Sequence, residues 1–444
     1  MKSKFSLILS ILLTTLVLSI TGCNETLIGL PPIYKDLFRY DPNGVLNVFP
    51  DKNLKFTVME HIIFEKIDSS IITFKDLENI LYLNANKKFI SDLEGIQYCT
   101  NLTSLDISSN IISDLSPLAS NIKLSKLNAM LNKINGLSAL EKLNDLQYVN
   151  LRNNSIEDIS PLTNDKKIKF LDVTSNKIKS LPSFSGFNDL VELQATNNQI
   201  STIGSIEKLD NLQSIYLDAN QISEISSISN LISLKNLSLS LNNITSFNGL
   251  SNISNVEQLN LYSNKISDIS FISGMPELKF LWLGNNNIKD LSPLYGLWNL
   301  EYIDLRNNQV KDISFMVNFT SLKNIDIGGN NLGNIDTLAS LKNLEVLQVS
   351  NNGLTDISVI TNFKKLTYLD VGGNKIEDIK SVKELQNLNT LYLNSNKVTD
   401  LIPIIECPGM RNNSFLNLNN NPLSETAKTE QIKILRDRGV YVIL

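Results

Sequence analysis

Fourteen asparagines recur along this 444-residue chain at an unbroken spacing of 22 residues, from Asn110 to Asn396. Asn86 and Asn421 extend the series at its two ends, with spacings of 24 and 25. A fixed period of this length is typical of a stack of similar units, because one short unit cannot bury an apolar face alone. The spacing therefore predicts sixteen copies over residues 77–421 with one continuous core, where length alone would suggest about three domains.

Each asparagine lies in the frame L-x-x-L-x-L-x-x-N-x-I-x-x-I-x-x-L. One copy places this frame at Leu278, Leu281, Leu283, Asn286, Ile288, Leu291, Leu294 and Leu297. The Leu-x-Leu alternation predicts a short strand with one apolar face, and the later spacing of three predicts a turn or 3₁₀ segment. Stacked copies would place the asparagines in a row inside the molecule, where each amide can bind backbone groups. We expect a structural rather than a catalytic role for them.

A second series of carboxylates lies four residues after the asparagine in eight copies. Its members are Asp114, Asp158, Asp268, Asp290, Asp312, Asp356, Asp378 and Asp400. Stacked carboxylates can bind a cation, but an Asp just before a short helical turn is typical of a local cap that accepts backbone N–H bonds. We favour capping over metal binding.

The first residues predict export. Lys2 and Lys4 precede an apolar run over residues 5–20, which is short for a membrane-spanning helix. The small residues that follow complete a secretory signal over residues 1–22.

Residues 18–23, Leu-Ser-Ile-Thr-Gly-Cys, resemble a bacterial lipobox. The resemblance implies cleavage before Cys23 and its lipidation, and two or three acyl chains anchor a protein stably. The alternative is an ordinary signal followed by a chance cysteine. Residues 23–45 are then the lipidated cysteine and a tether.

The repeating frame is the leucine-rich repeat signature, and its 22-residue form resembles the internalin type of bacterial leucine-rich repeats. Residues 48–54, Val-Phe-Pro-Asp-Lys-Asn-Leu, resemble the opening of the internalin cap, and residues 73–77 and 90–98 resemble its exit into the first copies. The resemblance spans about residues 46–421. It implies an α/β-type leucine-rich repeat solenoid with a curved parallel sheet on its concave face and 3₁₀ or turn segments on its convex face. It also implies protein partners, often host cell-surface proteins.

Caps are predicted at both ends of the stack. The N-terminal cap, residues 46–76, should contain a helix from Asn53 to about Lys66, with His61 in a surface or packing role. The C-terminal cap, residues 422–444, should contain a helix that begins after Ser424 and ends before Gly439, then a strand. Neither an immunoglobulin-like segment nor a Leu-Pro-x-Thr-Gly sorting signal follows the repeats in this sequence, so we expect anchoring through Cys23.

Residues six, four and two positions before each asparagine should project from the concave side of the sheet. The main aromatic patch predicted there consists of Tyr262, Phe280, Trp282, Tyr302 and Arg306, with an open notch at Gly284. Smaller patches comprise Tyr148, Arg152 and Phe170, and then Tyr368 with Tyr392. Clustered Trp, Tyr and Arg are typical of interface hot spots, although aromatic residues on adjacent strands also simply stack. Trp298, on an outer loop, is a weaker candidate.

Composition excludes several classes of function. The chain has one His, three Cys and a net charge of −5, which gives no basis for a His-based catalytic or metal site or for a nucleic-acid stripe. We find no nucleophile–base pair, phosphate loop or metal-ligand cluster, and we expect neither an enzyme nor a cofactor. Cys99 and Cys407 occupy the same core position in distant copies. They should be buried free thiols.

The sequence therefore predicts a lipid-anchored bacterial envelope protein that binds a protein partner through its concave face, as a surface adhesin that interacts with a host. The alternative is an envelope scaffold for other bacterial proteins or glycans. A cytosolic phosphatase-regulating repeat protein has a similar frame, but the export signal argues against it.

Overall fold

The computed structural model describes residues 41, 43–65, 71–163, 167–184, 186–206, 209–225, 228–247 and 252–444. Among these residues, seventeen short strands form one parallel sheet in which each strand pairs with the next. The middle strands pair in register 22 residues apart, so that Phe280 faces Tyr302 and Tyr302 faces Asn324. The fold is the predicted solenoid. Sixteen strands belong to the sixteen predicted copies, and the seventeenth belongs to the C-terminal cap.

The strands of this sheet span three residues each. They are Tyr82–Asn84, Ser104–Asp106, Lys126–Asn128, Tyr148–Asn150, Phe170–Asp172, Glu192–Gln194, Ser214–Tyr216, Asn236–Ser238, Gln258–Asn260, Phe280–Trp282, Tyr302–Asp304, Asn324–Asp326, Val346–Gln348, Tyr368–Asp370, Thr390–Tyr392, Phe415–Asn417 and Tyr441–Ile443. Their central residues are buried, which the Leu-x-Leu frame predicts. The first residue of each strand except Ser214 is more accessible, whereas the last residue is buried in five strands.

The chain returns along the convex side mostly in short 3₁₀ segments. They are Ile96–Tyr98, Ser116–Ser120, Ser138–Leu140, Ser160–Leu162, Ser270–Gly274, Ser292–Leu294, Ser314–Asn318, Asp336–Ser340, Ser358–Asn362 and Lys380–Glu384. Two small strands, Ser180–Leu181 and Thr202–Ile203, pair on this side, and Ile402–Ile405 forms one helical turn.

The second carboxylate series caps these convex turns, as the sequence predicts. Asp290 Oδ1 accepts the backbone N–H of Ser292 at 2.8 Å, and Asp290 Oδ2 accepts the Ser292 hydroxyl. The same backbone bond recurs at Asp114, Asp158, Asp268, Asp312, Asp356 and Asp378. Within the described residues, no three His, Cys, Asp or Glu side chains gather in a way that could hold a metal ion.

The recurring asparagines form a hydrogen-bonded ladder between copies. Asn286 Nδ2 donates to Leu261 O of the preceding copy and to Leu283 O of its own copy, each at 3.0 Å. Its Oδ1 accepts the backbone N–H of Ile266 at 3.0 Å. Asn308 repeats this pattern one copy later, with Leu283 O as a shared acceptor. The predicted structural role is confirmed: each buried amide ties two adjacent copies together.

The prediction for Asn86 is wrong. The first strand pairs Tyr82 with Ser104, which places Lys88, not Asn86, level with Asn110 in the ladder. Asn86 lies two residues earlier, and within the described residues its side-chain oxygen accepts no backbone N–H of a neighbouring copy. Asn110 Oδ1 accepts the backbone N–H groups of Lys88 and Ile90. Asn110 also donates from its Nδ2 to Ala85 O of the first copy, so the ladder begins with the second copy. At the other end, Asn421 is in the ladder.

Apolar side chains from all copies form one continuous core between the sheet and the convex segments. Cys99 and Cys407 are buried in it as free thiols, as predicted. Burial raises the pKa of the Cys99 thiol to about 12, which keeps it protonated and unreactive.

Both ends of the core are covered by caps. The N-terminal cap contains a 3₁₀ turn, Val45–Val48, and helices Lys52–Glu65 and Phe74–Glu78. His61 is half-buried and packs edge-on against Tyr82, with ring centroids 4.9 Å apart, in agreement with a packing role. Lys66 lies outside the described residues. None of the helices in the described part of the chain combines the length and apolar character needed to cross a bilayer.

The C-terminal cap is a helix followed by the last strand, as predicted. A π-helical turn, Ala427–Gln431, continues into helix Ile432–Asp437. Ser424 Oγ accepts the backbone N–H of Ala427 at 3.1 Å, which confirms the predicted N-terminal cap residue. Gly439 has a φ of 87°, a left-handed conformation that favours glycine at the end of a helix.

A column of alternating charge, which was not predicted, lies seven residues before the ladder asparagine in six consecutive copies. Its members are Lys235, Glu257, Lys279, Glu301, Lys323 and Glu345. Lys279 Nζ lies 2.7 Å from Glu257 Oε2, and Lys323 Nζ lies 2.6 Å from Glu301 Oε2. These pairs join neighbouring copies along one edge of the sheet. Their exposure limits the stabilisation that each pair provides.

We predict that Asn286→Leu lowers the free energy of unfolding by about 3 kcal/mol, because a buried Ile266 N–H loses its acceptor and two carbonyls lose a donor. Urea unfolding monitored by circular dichroism measures the change. Asn287→Leu is the matched control, since Asn287 is the adjacent, exposed residue and should change stability by less than about 0.5 kcal/mol. Equal losses for the two variants would contradict the ladder's role.

Candidate functional site

The structure places the predicted contact residues on the concave side of the sheet, where side chains project six, four and two positions before the ladder asparagine. In the strand Phe280–Trp282, both outer residues are half-buried and Leu281 between them is buried. The main patch therefore projects from the sheet, although its rings are more closely packed than a fully exposed cluster would be.

Three of the predicted aromatic residues form a contiguous group. Phe280 and Trp282 lie nearly parallel, with ring centroids 6.2 Å apart. The Trp282 and Tyr302 rings are 5.1 Å apart, across adjacent strands. Because the ladder fixes the register of these strands, the rings are held in place before any partner arrives. A rigid aromatic surface of this kind loses little conformational entropy when a partner binds.

The remaining two members of the main patch form a pair beside this group. The Arg306 guanidinium carbon lies 5.0 Å from the centre of the Tyr262 ring, within the range of a cation–π interaction. The Tyr262 hydroxyl accepts a hydrogen bond from Asn285 Nδ2 at 2.6 Å. The main patch therefore spans three copies and consists of an aromatic group and a cation–π pair.

The prediction of an open notch at Gly284 is wrong. Gly284 is buried, because Asp304 and Arg306 of the next copy occupy the space beside it. A Cβ atom at this position would lie 2.7 Å from Asp304 Oδ1 and 3.0 Å from Arg306 Cγ. The glycine admits these two side chains rather than leaving room for a ligand.

Arg306 also makes two ion pairs within the chain that the repeat spacing does not predict. Its Nη2 lies 3.0 Å from Asp304 Oδ2 and its Nη1 lies 3.5 Å from Asp326 Oδ2. Asp304 is fully buried, and this burial raises the pKa of its carboxyl to about 6 against the opposing effect of Arg306. Burial also raises the pKa of Asp326. Arg306 thus holds two buried carboxylates while keeping part of its side chain accessible.

The smaller patches are two separate clusters. Tyr148 and Phe170 stack with ring centroids 4.6 Å apart, and Lys126 Nζ lies 5.2 Å from the centre of the Tyr148 ring. Arg152 is exposed on the same strand-to-turn segment as Tyr148.

The Tyr368 and Tyr392 rings are 5.6 Å apart. Their row continues through Phe415, 5.0 Å from Tyr392, to Tyr441, 5.8 Å from Phe415. Phe415 occupies the sixth position before Asn421, so the repeat frame could have identified it.

Two candidates from the sequence remain, Cys23 and Trp298. Cys23 lies outside the described residues. Trp298 is on the convex side, edge-on to Tyr295 with ring centroids 5.2 Å apart and packed over the buried Phe319. This convex pair is exposed but remote from the concave columns.

Comparisons with known proteins agree with this architecture. Residues 254–385 match the family model described as Leucine Rich repeats (2 copies), in five overlapping stretches: 254–296, 276–318, 298–340, 320–362 and 342–385. No curated protein sequence matches the chain significantly.

Solved structures extend the similarity to nearly the whole chain. An internalin, inlF, from Listeria monocytogenes str. 4b F2365 is 26% identical with a TM-score of 0.55, over 90% of this chain and 99% of that chain. The functional domain of InlJ from Listeria monocytogenes, which includes a cysteine ladder, is 22% identical with a TM-score of 0.73, over 84% and 80%. The plant peptide hormone receptor RGFR1, solved in complex with RGF2, is 21% identical with a TM-score of 0.58, over 74% and 61%. The chain therefore has an internalin-like leucine-rich repeat fold, an architecture whose concave surfaces typically bind proteins.

The raised pKa of Asp304 predicts a pH-dependent effect on stability. The folded state binds this proton more tightly than the unfolded state does, so the group's contribution to stability grows as pH falls through about 6 towards the unfolded value near 4. Asp304→Asn resembles the protonated form. We expect its melting temperature, relative to the parent chain, to be higher at about pH 7.5 than at about pH 5.

Thermal unfolding at the two pH values measures this difference. Asp312→Asn is the control, because hydrogen bonds from Ser314 lower the pKa of Asp312 and leave it ionised at both pH values in both states. Its effect should be the same at the two pH values. A change for Asp304→Asn that is no larger than for Asp312→Asn would contradict the prediction.

Proposed function

We propose that this chain is a lipid-anchored protein of the bacterial envelope that binds a protein partner through the concave face of its solenoid, as an adhesin for a host surface protein. The observation that carries this proposal is the main aromatic patch: Tyr262, Phe280, Trp282, Tyr302 and Arg306. Its residue types are those that dominate interface energies when a partner buries them.

The geometry of the patch supports binding in place of simple strand stacking. Simple stacking between strands needs only rings at the same position of adjacent strands, as with Tyr148 and Phe170. The main patch instead joins rings of different columns, since Trp282 packs on Tyr302 while Arg306 covers Tyr262. The result is a broad half-buried aromatic surface with a guanidinium at its edge, and such a surface suits a protein ligand.

The similar proteins support the same class of activity. The plant receptor of similar fold was solved in complex with RGF2, and its description names it a peptide hormone receptor. The similarity to an internalin over nearly the full length of both chains suggests a bacterial surface role for this chain. Both points are extended to this protein by analogy of fold.

The proposed anchor depends on the sequence pattern that ends at Cys23. Residues 24–44 would connect the lipid to the first turn of the cap, and a fully extended stretch of this length reaches about 70 Å. The solenoid could then reach well beyond the membrane surface.

The same concave face would also serve an envelope scaffold, which is the alternative function. Access to the protein from outside the cell distinguishes the two roles. Protease digestion of intact cells should remove the solenoid of an adhesin.

We predict that Trp282→Ala combined with Tyr302→Ala abolishes binding of the full chain to host cells, measured by flow cytometry, while the circular dichroism melt keeps its midpoint within a few degrees. The two rings would supply several kcal/mol of the binding energy. The matched control replaces the convex pair, Tyr295→Ala with Trp298→Ala, which removes the same ring types from the other face. Binding that survives the first double change, or that both double changes reduce equally, would argue against the patch.

The anchor has its own test. We expect metabolic labelling with a fatty-acid analogue to mark the parent chain and to be lost in Cys23→Ser, while Cys99→Ser stays labelled because Cys99 is buried in the core. Loss of label should also move the protein from the membrane fraction to the soluble fraction. A Cys23→Ser chain that remains labelled would rule out this cysteine as the anchor.

A further inference from the structure

The middle of the concave face carries a second chemical pattern beside the main aromatic patch. Residues four positions before the ladder asparagine occupy one column across six consecutive copies. In order they are Trp282, Asp304, Asp326, Gln348, Asp370 and Tyr392. We call the four residues from Asp304 to Asp370 the acidic column. At about 4.8 Å per strand, the two aromatic residues at its ends lie about 24 Å apart.

The charges of the acidic column are only partly compensated. Arg306 pairs with Asp304 and Asp326, which leaves one guanidinium for three carboxylates. Asp304 is fully buried, and its Oδ2 accepts no hydrogen bond in the described structure, although Arg306 Nη2 lies 3.0 Å away. Asp326 is only 5% exposed. These carboxylates have lost most of their hydration, and an additional cation would stabilise them.

Asp370 is the carboxylate of this column that a partner can reach. It is half-buried and accepts the backbone N–H of Gly372 at 2.9 Å. Within the described part of the chain it forms no ion pair with a lysine or arginine. Its pKa is raised first by burial and then by the charge of Asp326, which is consistent with an anionic surface that lacks a counter-charge.

Aromatic rings flank Asp370 on one side. Tyr368 begins the same strand, and its ring lies 5.6 Å from the ring of Tyr392 on the next strand. Both rings are half-buried and held by their neighbours, because Tyr392 also packs against Phe415. A tyrosine face attracts a cation, and a carboxylate beside it adds a charge-assisted hydrogen bond. Together the two groups form a surface suited to a lysine or arginine side chain.

We infer that the acidic column binds an extended, basic segment of the protein partner, which crosses the strands of the sheet. The segment places a Lys or Arg side chain at Asp370 against Tyr368, and an apolar side chain against Trp282 and Tyr302. Trp282 and Asp370 are four strands, or about 19 Å, apart, which corresponds to five or six residues of extended chain. This inference rests on the proposed function and specifies the chemistry of the partner.

Synthetic peptides provide the test. The probe is a ten-residue Ser/Thr peptide that carries one Leu and one Arg six residues apart, and its binding to the full chain is measured by fluorescence anisotropy. We expect at least a tenfold loss of affinity when citrulline, which is neutral, replaces the arginine. We expect a similar loss when the two residues are only two positions apart. Raised salt should weaken the arginine peptide selectively.

The protein variants separate charge from structure. Asp370→Asn keeps an oxygen for the Gly372 N–H and should lower affinity for the arginine peptide at least tenfold while leaving the citrulline peptide unchanged. Asp172→Asn is the matched control, because Asp172 occupies the same column position near the other end and accepts the Thr174 N–H in the same way. It should not change the affinity for the arginine peptide.

The inference is overturned if the arginine peptide does not bind, if citrulline binds equally well, or if Asp370→Asn has no effect. Its failure can be told apart from failure of the proposed function. If Trp282→Ala with Tyr302→Ala abolishes cell binding but Asp370→Asn leaves the peptide's arginine preference intact, only the basic segment is wrong. If the aromatic double change has no effect on cell binding, the proposed binding face itself is wrong.

Discussion

The hydrogen bonds of one buried amide determine the geometry of the whole molecule. Asn286 joins the backbone of its own copy to that of the copy before it, and its equivalents do the same along the stack. A buried amide without these partners would destabilise the core, so the ladder permits only one offset between adjacent strands. That offset aligns every residue of the concave face with its equivalents, and the aromatic and acidic columns exist because of it.

The period of 22 was enough to predict the solenoid, its sixteen copies and the capping aspartates, since these follow from residues that each copy repeats. Errors arose where one residue departs from the pattern. Asn86 resembles a ladder residue by type, but strand pairing gives that place to Lys88. The space at Gly284 seemed open because its own side chain is absent, yet Asp304 and Arg306 reach into it from the next copy. Such contacts depend on side-chain reach across strands, which spacing along the chain does not specify.

The concave and convex faces use aromatic residues differently. On the convex side, Trp298 packs over a buried phenylalanine and joins the periphery of the core. On the concave side the rings cannot enter the core, because each strand turns its leucines inwards. They therefore pack against one another and around Arg306, whose two carboxylate partners are buried. The concave surface is ordered by its own side-chain contacts, and its residue types can vary from copy to copy without disturbing the core.

The alternating column from Lys235 to Glu345 restricts how this array can change in length. Repeat proteins gain and lose whole copies, and the ladder and core tolerate any whole number of them. The charge column does not: removing the copy that carries Glu301 would set Lys279 beside Lys323, and like charges on adjacent strands repel each other. Removing or adding two copies preserves the alternation. A change of two copies, 44 residues, therefore conserves the opposite-charge pairs along this edge, whereas a change of one copy replaces one of them with a like-charge contact.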